Sequence, residues 1–271
     1  MKTNSVMLSL LAVAAFVVTT LSTFGQVPVD NVLRDFELTG DYSLEVGGQA
    51  QPKAKIYQSR TAGAFLLRTS VFETPVMLSP RSGAVETVSL MSLSQQPDGS
   101  VDILADAEVL KAGVFRLEGT DVFFSVSGQE AKLSPKPPLT GLKDAAQLLD
   151  YSPEYVLKAS SYQPGAADVA ALRERSDEVK VKVFFGSWCA FCKTYVPRML
   201  KVDQALEGSK VSVEYYGVPK PPFNDEPEVQ KFKIGGVPTG IVYVGGQEVG
   251  RIEKQMWMQP EKTLLNMLSG S

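Results

Sequence analysis

Hydrophobic and polar positions alternate over short stretches in the first half of the chain. From about residue 35 to residue 133, turns rich in glycine, proline and serine separate these stretches. Such spacing is typical of an antiparallel, all-β meander closed into a barrel or roll. Asp98-Gly99 is the clearest hairpin signal, because this dipeptide suits a tight β-turn. We predict strands at residues 42–46, 54–58, 65–69, 76–78, 85–90, 101–104, 115–118, 122–126 and 131–133.

A proline-rich stretch, Ser134-Pro135-Lys136-Pro137-Pro138, ends this pattern and marks the best domain boundary. Residues 139–162 then predict a helical connector with one helix at 142–149. A second helix begins at Ser152-Pro153-Glu154, where serine can cap and proline suits the first helical position. We therefore divide the chain into an N-terminal segment at 1–25, a β domain at 26–134, a linker and connector at 135–165 and a second domain at 166–271.

Strand and helix patterns alternate in the second domain. Val181-Lys182-Val183-Phe184-Phe185 starts alternating and ends apolar, as an interior strand does. A helix follows from Cys189 to Gly208, with Pro197 inside it, where proline should bend the helix. The remaining pattern predicts a strand, a short helix, two strands joined by Gly245-Gly246 and a last helix. The chain as a whole is therefore predicted to be α+β.

The N-terminal segment resembles a secretory signal. Lys2 precedes an apolar stretch at residues 6–18, and small and polar residues follow as far as Gly25, after which we expect cleavage. The apolar stretch is shorter than the roughly 20 residues that a membrane-spanning helix needs. An uncleaved membrane anchor is the alternative. Export places the protein in the periplasm or another extracytoplasmic space, where disulfides can form.

Composition excludes several kinds of site. The chain has no histidine, so it has no Ser-His-Asp or Cys-His catalytic unit and no imidazole-bound zinc. Its two cysteines are too few for a zinc site built from cysteine alone. The net charge of −3 and the lack of a basic stripe give nucleic-acid binding little support. We therefore expect no metal, no cofactor and no nucleic-acid partner.

Both cysteines lie in one stretch, Gly186-Ser187-Trp188-Cys189-Ala190-Phe191-Cys192-Lys193. Cys189 stands where the predicted strand gives way to the predicted helix. Free backbone N–H groups and the dipole at a helix N-terminus favour a thiolate, which is the nucleophile in disulfide exchange. Cys192 lies about one helical turn further on and can reach the same sulfur. The pair is therefore predicted to be a redox-active dithiol that exchanges disulfides with protein substrates.

The second domain resembles the thioredoxin superfamily over about residues 166–271. Four features carry the resemblance: Trp188-Cys189-x-x-Cys192-Lys193, Pro197 eight residues after the first cysteine, Gly236-Val237-Pro238-Thr239 before a strand, and the Gly245-Gly246 hairpin. The resemblance implies a thioredoxin-like α/β fold with a central mixed sheet flanked by helices. The N-terminal β domain resembles no family that we recognise.

The resemblance also implies roles for individual residues. Cys189 would be the exposed nucleophile and Cys192 the shielded, resolving thiol. A cis bond at Val237-Pro238 would expose the Val237 backbone to a substrate strand and keep metal away from the thiols. Trp188 would pack against the active-site surface and contribute to substrate binding. Supporting roles fall to Ala190, Phe191 and Lys193, although simple apolar packing explains Phe191 equally well.

Two departures from the family pattern leave the direction of electron flow open. Thioredoxin-like reductases usually carry a buried carboxylate six residues before the first cysteine, where this chain has Val183. The lysine that usually faces that acid becomes Tyr215. Proton transfer at Cys192 must then use water or another group, with Lys182, Glu178 and Glu214 as candidates. Strong oxidants of the family often place histidine between the cysteines, where this chain has Ala190-Phe191.

We therefore expect an exported thiol–disulfide oxidoreductase of intermediate potential, with reductase or isomerase-like use slightly favoured over oxidase use. Its partners would be protein thiols and disulfides and an unidentified protein that recycles the dithiol. Membrane contact would come only through the export signal, and the β domain would serve targeting or dimerisation. The alternative is a binding or chaperone-like protein whose β domain carries the function on a redox-inactive thioredoxin scaffold. A dedicated reductase for one client is a third hypothesis.

Overall fold

The structure, a computed structural model, describes residues 33–270, and the predicted signal segment lies outside them. Within the described part, no helix has the length and apolar character needed to cross a bilayer. The first part of this chain consists of short strands. They are β1 (Glu37–Leu38), β2 (Tyr42–Val46), β3 (Gln49–Ala50), β4 (Lys55–Ser59), β5 (Ala64–Arg68), β6 (Val76–Ser79), β7 (Ala84–Val88), β8 (Leu93–Gln95), β9 (Val101–Ile103), β10 (Val109–Val114), β11 (Arg116–Glu118), β12 (Asp121–Val126) and β13 (Gln129–Pro135).

Eleven of these strands form two facing antiparallel sheets, called here the β sandwich. One sheet has the order β1-β4-β5-β6-β7-β10, and the other has the order β11-β12-β13-β2-β3. Inner residues of both sheets, such as Leu44, Leu67 and Phe124, share one core. The antiparallel all-β prediction is confirmed. Because β1 to β13 divide between separate sheets, the described strands do not close into a barrel.

The central strands of the larger sheet are buried on both faces. Ile56 of β4 points into the core of the β sandwich, whereas its neighbour Tyr57 belongs to a second apolar cluster on the outer face. The two-stranded ribbon of β8 and β9 covers that outer face with Val101 and Ile103. This double burial explains why these strands lack a clean alternation of apolar and polar residues.

The second part of the chain contains the remaining strands and all of the described α-helices. They are β14 (Gly141–Lys143), α1 (Ala145–Tyr151), α2 (Pro153–Ser161), α3 (Ala166–Arg173), β15 (Val179–Phe185), α4 (Ala190–Ala205), β16 (Val211–Gly217), α5 (Pro227–Lys231), β17 (Thr239–Val244), β18 (Gln247–Ile252) and α6 (Pro260–Ser269). The sheet order is β14-β16-β15-β17-β18, with β15 and β16 parallel and the other pairs antiparallel. This is the predicted thioredoxin-like fold with a mixed central sheet, called here the thioredoxin-like unit.

Successive residues of β15 point to opposite faces of this sheet. Val181 and Val183 face a large core that also takes apolar residues from α1, α2, α3, α4 and α6. Phe184 faces a smaller cluster that includes Val229 of α5. The continuous burial of the last residues of β15 therefore reflects helices on both sides, as the apolar end of the sequence pattern predicts.

The predicted helix at 142–149 is wrong at its start. Residues 141–143 form β14, which pairs with the edge strand β16, and the helix begins only at Ala145. Asp144 caps it through the backbone N–H of Gln147, whose side chain in turn accepts from the Asp144 N–H. The chain therefore joins the sheet before the first helix.

The predicted domain boundaries stay predictions, but the connector contributes Leu148 and Tyr155 to the core of the thioredoxin-like unit.

The β sandwich lies directly against the connector. A Cβ on Gly40 would lie 2.1 Å from the Ser152 hydroxyl oxygen, so only glycine permits this approach. A Cβ on Gly99 would lie 2.3 Å from the Leu157 side chain of α2. Gly99 also has a φ of +83°, which glycine adopts readily. The predicted Asp98-Gly99 turn therefore both reverses the chain and docks on α2.

Candidate active site

Cys189 caps the helix that carries the predicted dithiol. Strand β15 ends at Phe185, and α4 begins at Ala190, so Cys189 occupies the N-cap position. Its sulfur accepts a hydrogen bond from the Cys192 backbone N–H at 3.5 Å. An N-cap side chain normally serves such free N–H groups with oxygen, and here sulfur takes that place. The thiol is only partly buried, so reagents can reach it.

These contacts lower the pKa of the Cys189 thiol from its ordinary value of 9.0 to about 6. The largest cause is a hydrogen bond from the Cys192 side chain, and burial opposes it. Backbone N–H groups of Cys192 and Phe191 and the positive charge of Lys193 favour the thiolate further. At neutral pH, Cys189 is therefore mostly the nucleophilic thiolate.

Cys192 has the opposite environment. Its side chain is fully buried in the large core, and the Gly186 backbone N–H donates to its sulfur at 3.4 Å. Burial, then the neighbouring Cys189, raise the pKa of this thiol above its ordinary value. Both cysteines are free thiols in this structure. The predicted contrast between an accessible Cys189 and a shielded Cys192 is confirmed.

Trp188 closes one side of the site. Its indole N–H donates to the Val218 carbonyl at 3.2 Å, and its ring lies 6.0 Å from that of Phe223. A Cβ on Gly186 would lie 2.6 Å from this indole ring, so only glycine fits at position 186. The tryptophan is thus held by the loop after β16, beside the dithiol.

The Val237-Pro238 loop closes another side. Its peptide bond is cis, as the family resemblance implies. The Cys189 thiol lies 3.6 Å from the Val237 carbonyl oxygen, to which it can donate. The buried Trp257 fixes the loop from behind, because its indole N–H donates to the Pro238 carbonyl at 3.1 Å. Residues far apart in the sequence therefore meet at the Cys189 sulfur.

A groove of about 550 Å³ runs beside this loop. Its walls include Phe191, Tyr195, Val237, Pro238 and Trp257. The Phe191 side chain is 68% exposed and stacks on Tyr195, with ring centres 6.4 Å apart. Phe191 therefore does not pack into the core, and it presents an apolar ring next to the accessible thiol.

Lys193 connects the site to the β sandwich. Its ammonium group forms ion pairs with Asp41, which precedes β2, and with Glu154 of α2 at 3.6 Å. Ala190 and Lys193 line a polar cavity together with residues of the β sandwich. The Lys193 side chain is mostly buried in this arrangement. The sequence motif predicted a supporting role for Lys193 but gave no sign of its acidic partners.

Comparisons with known proteins assign the chain to no family. No family model matches the chain, and no curated protein matches its sequence. A thioredoxin from Trypanosoma brucei brucei is 20% identical over 40% of this chain and 88% of its own, with a TM-score of 0.28. Mitochondrial thioredoxin 3 from Saccharomyces cerevisiae is 19% identical over 40% of this chain and 98% of its own, with a TM-score of 0.27. A Pseudomonas aeruginosa protein of unknown function is 11% identical over 44% of this chain and 81% of its own, with a TM-score of 0.35. Scores and identities this low support no conclusion about function.

The sequence candidates for proton transfer lie on the wrong side of the sheet. Lys182 pairs with Glu228 at 2.6 Å and with Glu214 at 3.6 Å, and it lies over the Phe232 ring. Because neighbouring strand residues alternate, Lys182 faces away from Val181, Val183 and Cys192. Glu178 lines the same open cavity as Lys182. These groups therefore do not serve the buried thiol.

Val183 and Tyr215 stand where the family pattern has an acid and a lysine, and both are fully buried. The two residues are opposite each other in the parallel pair of β15 and β16. The Tyr215 hydroxyl donates to Asp203 near the far end of α4 at 3.2 Å. Burial raises the pKa of Asp203 to about 6. Asp203 lies about three helical turns from Cys192, so it does not replace the missing acid.

The described residues contain no cluster of three or more histidine, cysteine or acidic side chains that could hold a metal ion. Sequence reasoning found Cys189, Cys192, Trp188 and Pro238. It missed the neighbours supplied by the connector and the β sandwich, since no motif links those segments to the cysteines.

Proposed function

We propose that the protein is an exported thiol–disulfide oxidoreductase that acts on protein substrates. One observation carries this proposal: a half-buried thiol with a pKa of about 6 caps a helix one turn before a buried thiol, against a cis-proline loop. A structural pair of cysteines would need no such difference in access and pKa.

The reaction has two steps. The Cys189 thiolate attacks one sulfur of a substrate disulfide, forms a mixed disulfide and releases the other substrate sulfur as a thiolate. Cys192 then attacks the Cys189 sulfur, breaks the mixed disulfide and releases the second substrate sulfur. The substrate gains two electrons, and the protein is left with a Cys189–Cys192 disulfide. The same steps run in reverse when the protein oxidises a dithiol.

The pKa of Cys189 supports an intermediate redox potential. A lower thiolate pKa stabilises the reduced form and makes a dithiol more oxidising, and family values run from about 7 in thioredoxin to about 3.5 in a strong oxidant. The value of about 6 lies nearer the reducing end. No charged side chain stands between the cysteines to push it lower. Reductase or isomerase-like use therefore remains the favoured direction.

The surroundings of Cys189 suggest the route by which substrates approach. The β sandwich contacts Lys193 on one side of the helix start, and Trp188 with the loop after β16 occupies another. The groove with the exposed Phe191 stays open beside Val237 and Pro238. Apolar segments of unfolded or partly folded proteins would fit such a surface. The Val237 backbone would then pair with the substrate strand.

Export is proposed from the sequence of the first 25 residues. In an oxidising compartment, a reductase needs a partner that returns electrons to its disulfide, and an oxidase needs one that removes them. The identity of that recycling partner is open in both cases.

A second candidate function is binding or chaperone-like activity of the β sandwich. Leu110, Val114 and Leu117 on β10 and β11 are more than half exposed. Exposed apolar side chains at sheet edges can hold partner proteins or a second copy of the chain. On this hypothesis, the two thiols would react slowly and with ordinary pKa values.

Two cysteine variants separate these functions. Cys189→Ser should abolish insulin reduction and the refolding of scrambled ribonuclease, because the attacking thiolate is gone. Cys192→Ser is the matched control, since it also removes one thiol but keeps the nucleophile, and it should trap substrates as mixed disulfides on Cys189. If Cys189→Ser keeps full activity, or if Cys192→Ser traps nothing, the oxidoreductase proposal is wrong.

A further inference from the structure

Tyr155 has a buried hydroxyl that the fold leaves unused. Its side chain lies on α2 and is only 1% exposed. Among the described residues, its hydroxyl has no hydrogen-bond partner. Buried hydroxyls nearly always have one, so an exception indicates strain or a function. Two other tyrosines follow the rule: Tyr215 donates to Asp203, and Tyr151 donates to the Pro137 carbonyl.

The side chain of Tyr155 and the resolving thiol share one buried core, and no hydrogen bond joins them in the reduced protein. Helix α2 packs against α4, and Tyr155 and Cys192 belong to the same buried core. Burial raises the pKa of Tyr155 well above its ordinary value, and among nearby charges that of Cys192 raises it most. Weaker contributions come from Glu154, Tyr151 and Asp41. A thiolate at Cys192 therefore keeps the proton on Tyr155, so the hydroxyl can act toward that sulfur only as a donor.

A hydrogen-bond donor at the Cys192 sulfur would favour the resolving step. Cys192 must become a thiolate to attack the mixed disulfide, yet burial opposes its charge. Backbone N–H groups of Gly186 and of Cys192 itself lower the pKa of this thiol, but burial outweighs them. Val183 occupies the position of the usual acid, and Lys182 faces the other side of the sheet. The connector thus contributes a hydroxyl without a hydrogen-bond partner to the core that holds Cys192, whereas Val183 of β15 contributes no polar group.

We propose that Tyr155 donates a hydrogen bond to the Cys192 sulfur as its thiolate forms, and so promotes the resolution of the mixed disulfide. This role rests on the proposed function. The Cys192 proton ends on the departing substrate thiolate, and Tyr155 keeps its own proton throughout. The new bond joins the Cys192 and Cys189 sulfurs, and the bond between Cys189 and the substrate breaks.

Tyr155→Phe tests the role by removing only the hydroxyl. The reduced protein is mixed with an aromatic disulfide reagent whose released thiolate absorbs visible light, and a stopped-flow record separates two releases. The first reports the attack by Cys189, and the second reports resolution by Cys192. A hydrogen bond to a charged group corresponds to roughly a ten- to hundredfold change in rate, so the second release should slow by that factor. Its pH profile should move to higher pH, and the first release should be unchanged.

Tyr215→Phe is the matched control. It removes a hydroxyl from the same core, but one that is already bonded to Asp203. We expect Tyr215→Phe to lower the urea midpoint of unfolding and to leave the second release unchanged. Tyr155→Phe should leave the urea midpoint equal or higher, because no existing bond is lost.

Two outcomes would overturn the role of Tyr155 alone: a second release in Tyr155→Phe with the wild-type rate and pH profile, or a fall in both releases together with a lower urea midpoint. The latter result would show a structural hydroxyl. If the wild-type protein shows neither release above the rate of an unfolded cysteine, the proposed function fails, and the role of Tyr155 fails with it.

Discussion

At the scale of single residues, one helix end gives two identical side chains opposite properties. Cys189 lies before the first turn of α4, where the Cys192 thiol and free N–H groups point at its sulfur. Cys192 lies within that turn and faces a core of aliphatic and aromatic side chains. The difference in pKa follows from position alone, since both groups begin from the same ordinary value.

This contrast predicts the alkylation kinetics of the reduced protein. The rate at Cys189 should rise with pH through a midpoint near 6, because only the thiolate reacts. Cys192 should remain unmodified over the same period, since it is buried and protonated. Mass spectrometry of iodoacetamide-treated protein between pH 4 and pH 10 measures both. In urea, both thiols should have a pKa near the ordinary value of 9.0. The same pKa for both thiols in the folded protein would contradict the proposed roles of Cys189 and Cys192.

Part of the site was predictable from the sequence. Trp188, the two cysteines and Pro238 belong to short motifs whose spacing has a chemical reason. Asp41 and Tyr155 were not predictable, because Asp41 pairs with Lys193 and Tyr155 joins the core around Cys192 only when the β sandwich and α2 pack against α4. The candidates Lys182 and Glu214 were wrong for a related reason: alternation along β15 and β16 turns this facing pair toward the other side of the sheet.

At the scale of elements, the junction between β15 and α4 depends on a glycine. The Trp188 ring occupies the space where a Gly186 side chain would lie, and the ring is held by the Val218 carbonyl. The same glycine donates its N–H to the Cys192 sulfur. One residue therefore shapes both the tryptophan wall and the environment of the buried thiol.

Gly186→Ala should therefore destabilise the protein. Over-packing of this kind costs about 1–3 kcal/mol, and the displaced indole should change its fluorescence spectrum. Urea unfolding monitored by fluorescence measures both effects. Gly235→Ala is the control, because a Cβ there would meet nothing within 4 Å. Equal stabilities for the two variants would show that the indole moves aside freely.

The elements themselves were predicted with uneven success. The interior strand at 181–185, the helix from the cysteines and the Gly245-Gly246 hairpin have strong local signals and are confirmed. The strand at 141–143 has none: Leu142 is exposed, and this short segment is extended only because it pairs with β16. The local pattern of hydrophobic residues does not reveal pairing between distant segments of the chain. This explains the error at the start of the first helix.

At the scale of the whole molecule, the β sandwich and the thioredoxin-like unit contact each other near the start of α4. Gly40 and Gly99 let the β sandwich approach α2 closely, and Asp41 reaches Lys193 beside the dithiol. The β sandwich is therefore part of the surroundings of the candidate active site, in addition to any targeting or dimerising role.

Gly40→Ala should weaken this docking. The new methyl group would collide with the side chain and backbone of Ser152, so the β sandwich must shift away from α2. We expect a loss of about 1–3 kcal/mol of stability and faster proteolysis in the proline-rich linker. Gly113→Ala, in β10, is the control, because its nearest neighbour would be 3.8 Å away. Proteolysis at the same rate in both variants would contradict the close docking.

The two thiols should also set the pH dependence of the stability of the reduced protein. Between about pH 6 and pH 9, the unfolded chain holds a proton at Cys189 that the folded protein has lost, so stability rises with pH. Above pH 9, the folded protein keeps the Cys192 proton that the unfolded chain releases, so stability falls. Urea unfolding of the reduced wild type, minus that of Cys189→Ser/Cys192→Ser, isolates this profile. If the difference in free energy of unfolding between the two proteins does not change with pH, the opposite pKa shifts are wrong.

The central claim is that Cys189 and Cys192 form one reversible redox couple of intermediate potential. Equilibration of the protein with mixtures of reduced and oxidised glutathione, followed by acid quenching and mass analysis of free thiols, tests it directly. We predict a single two-electron transition with a midpoint between about −270 and −180 mV, the range from thioredoxin to isomerases. Thiols that stay reduced, or that end only as separate glutathione adducts, would contradict the claim. A midpoint near about −120 mV would instead contradict the intermediate potential and the preference for reducing use.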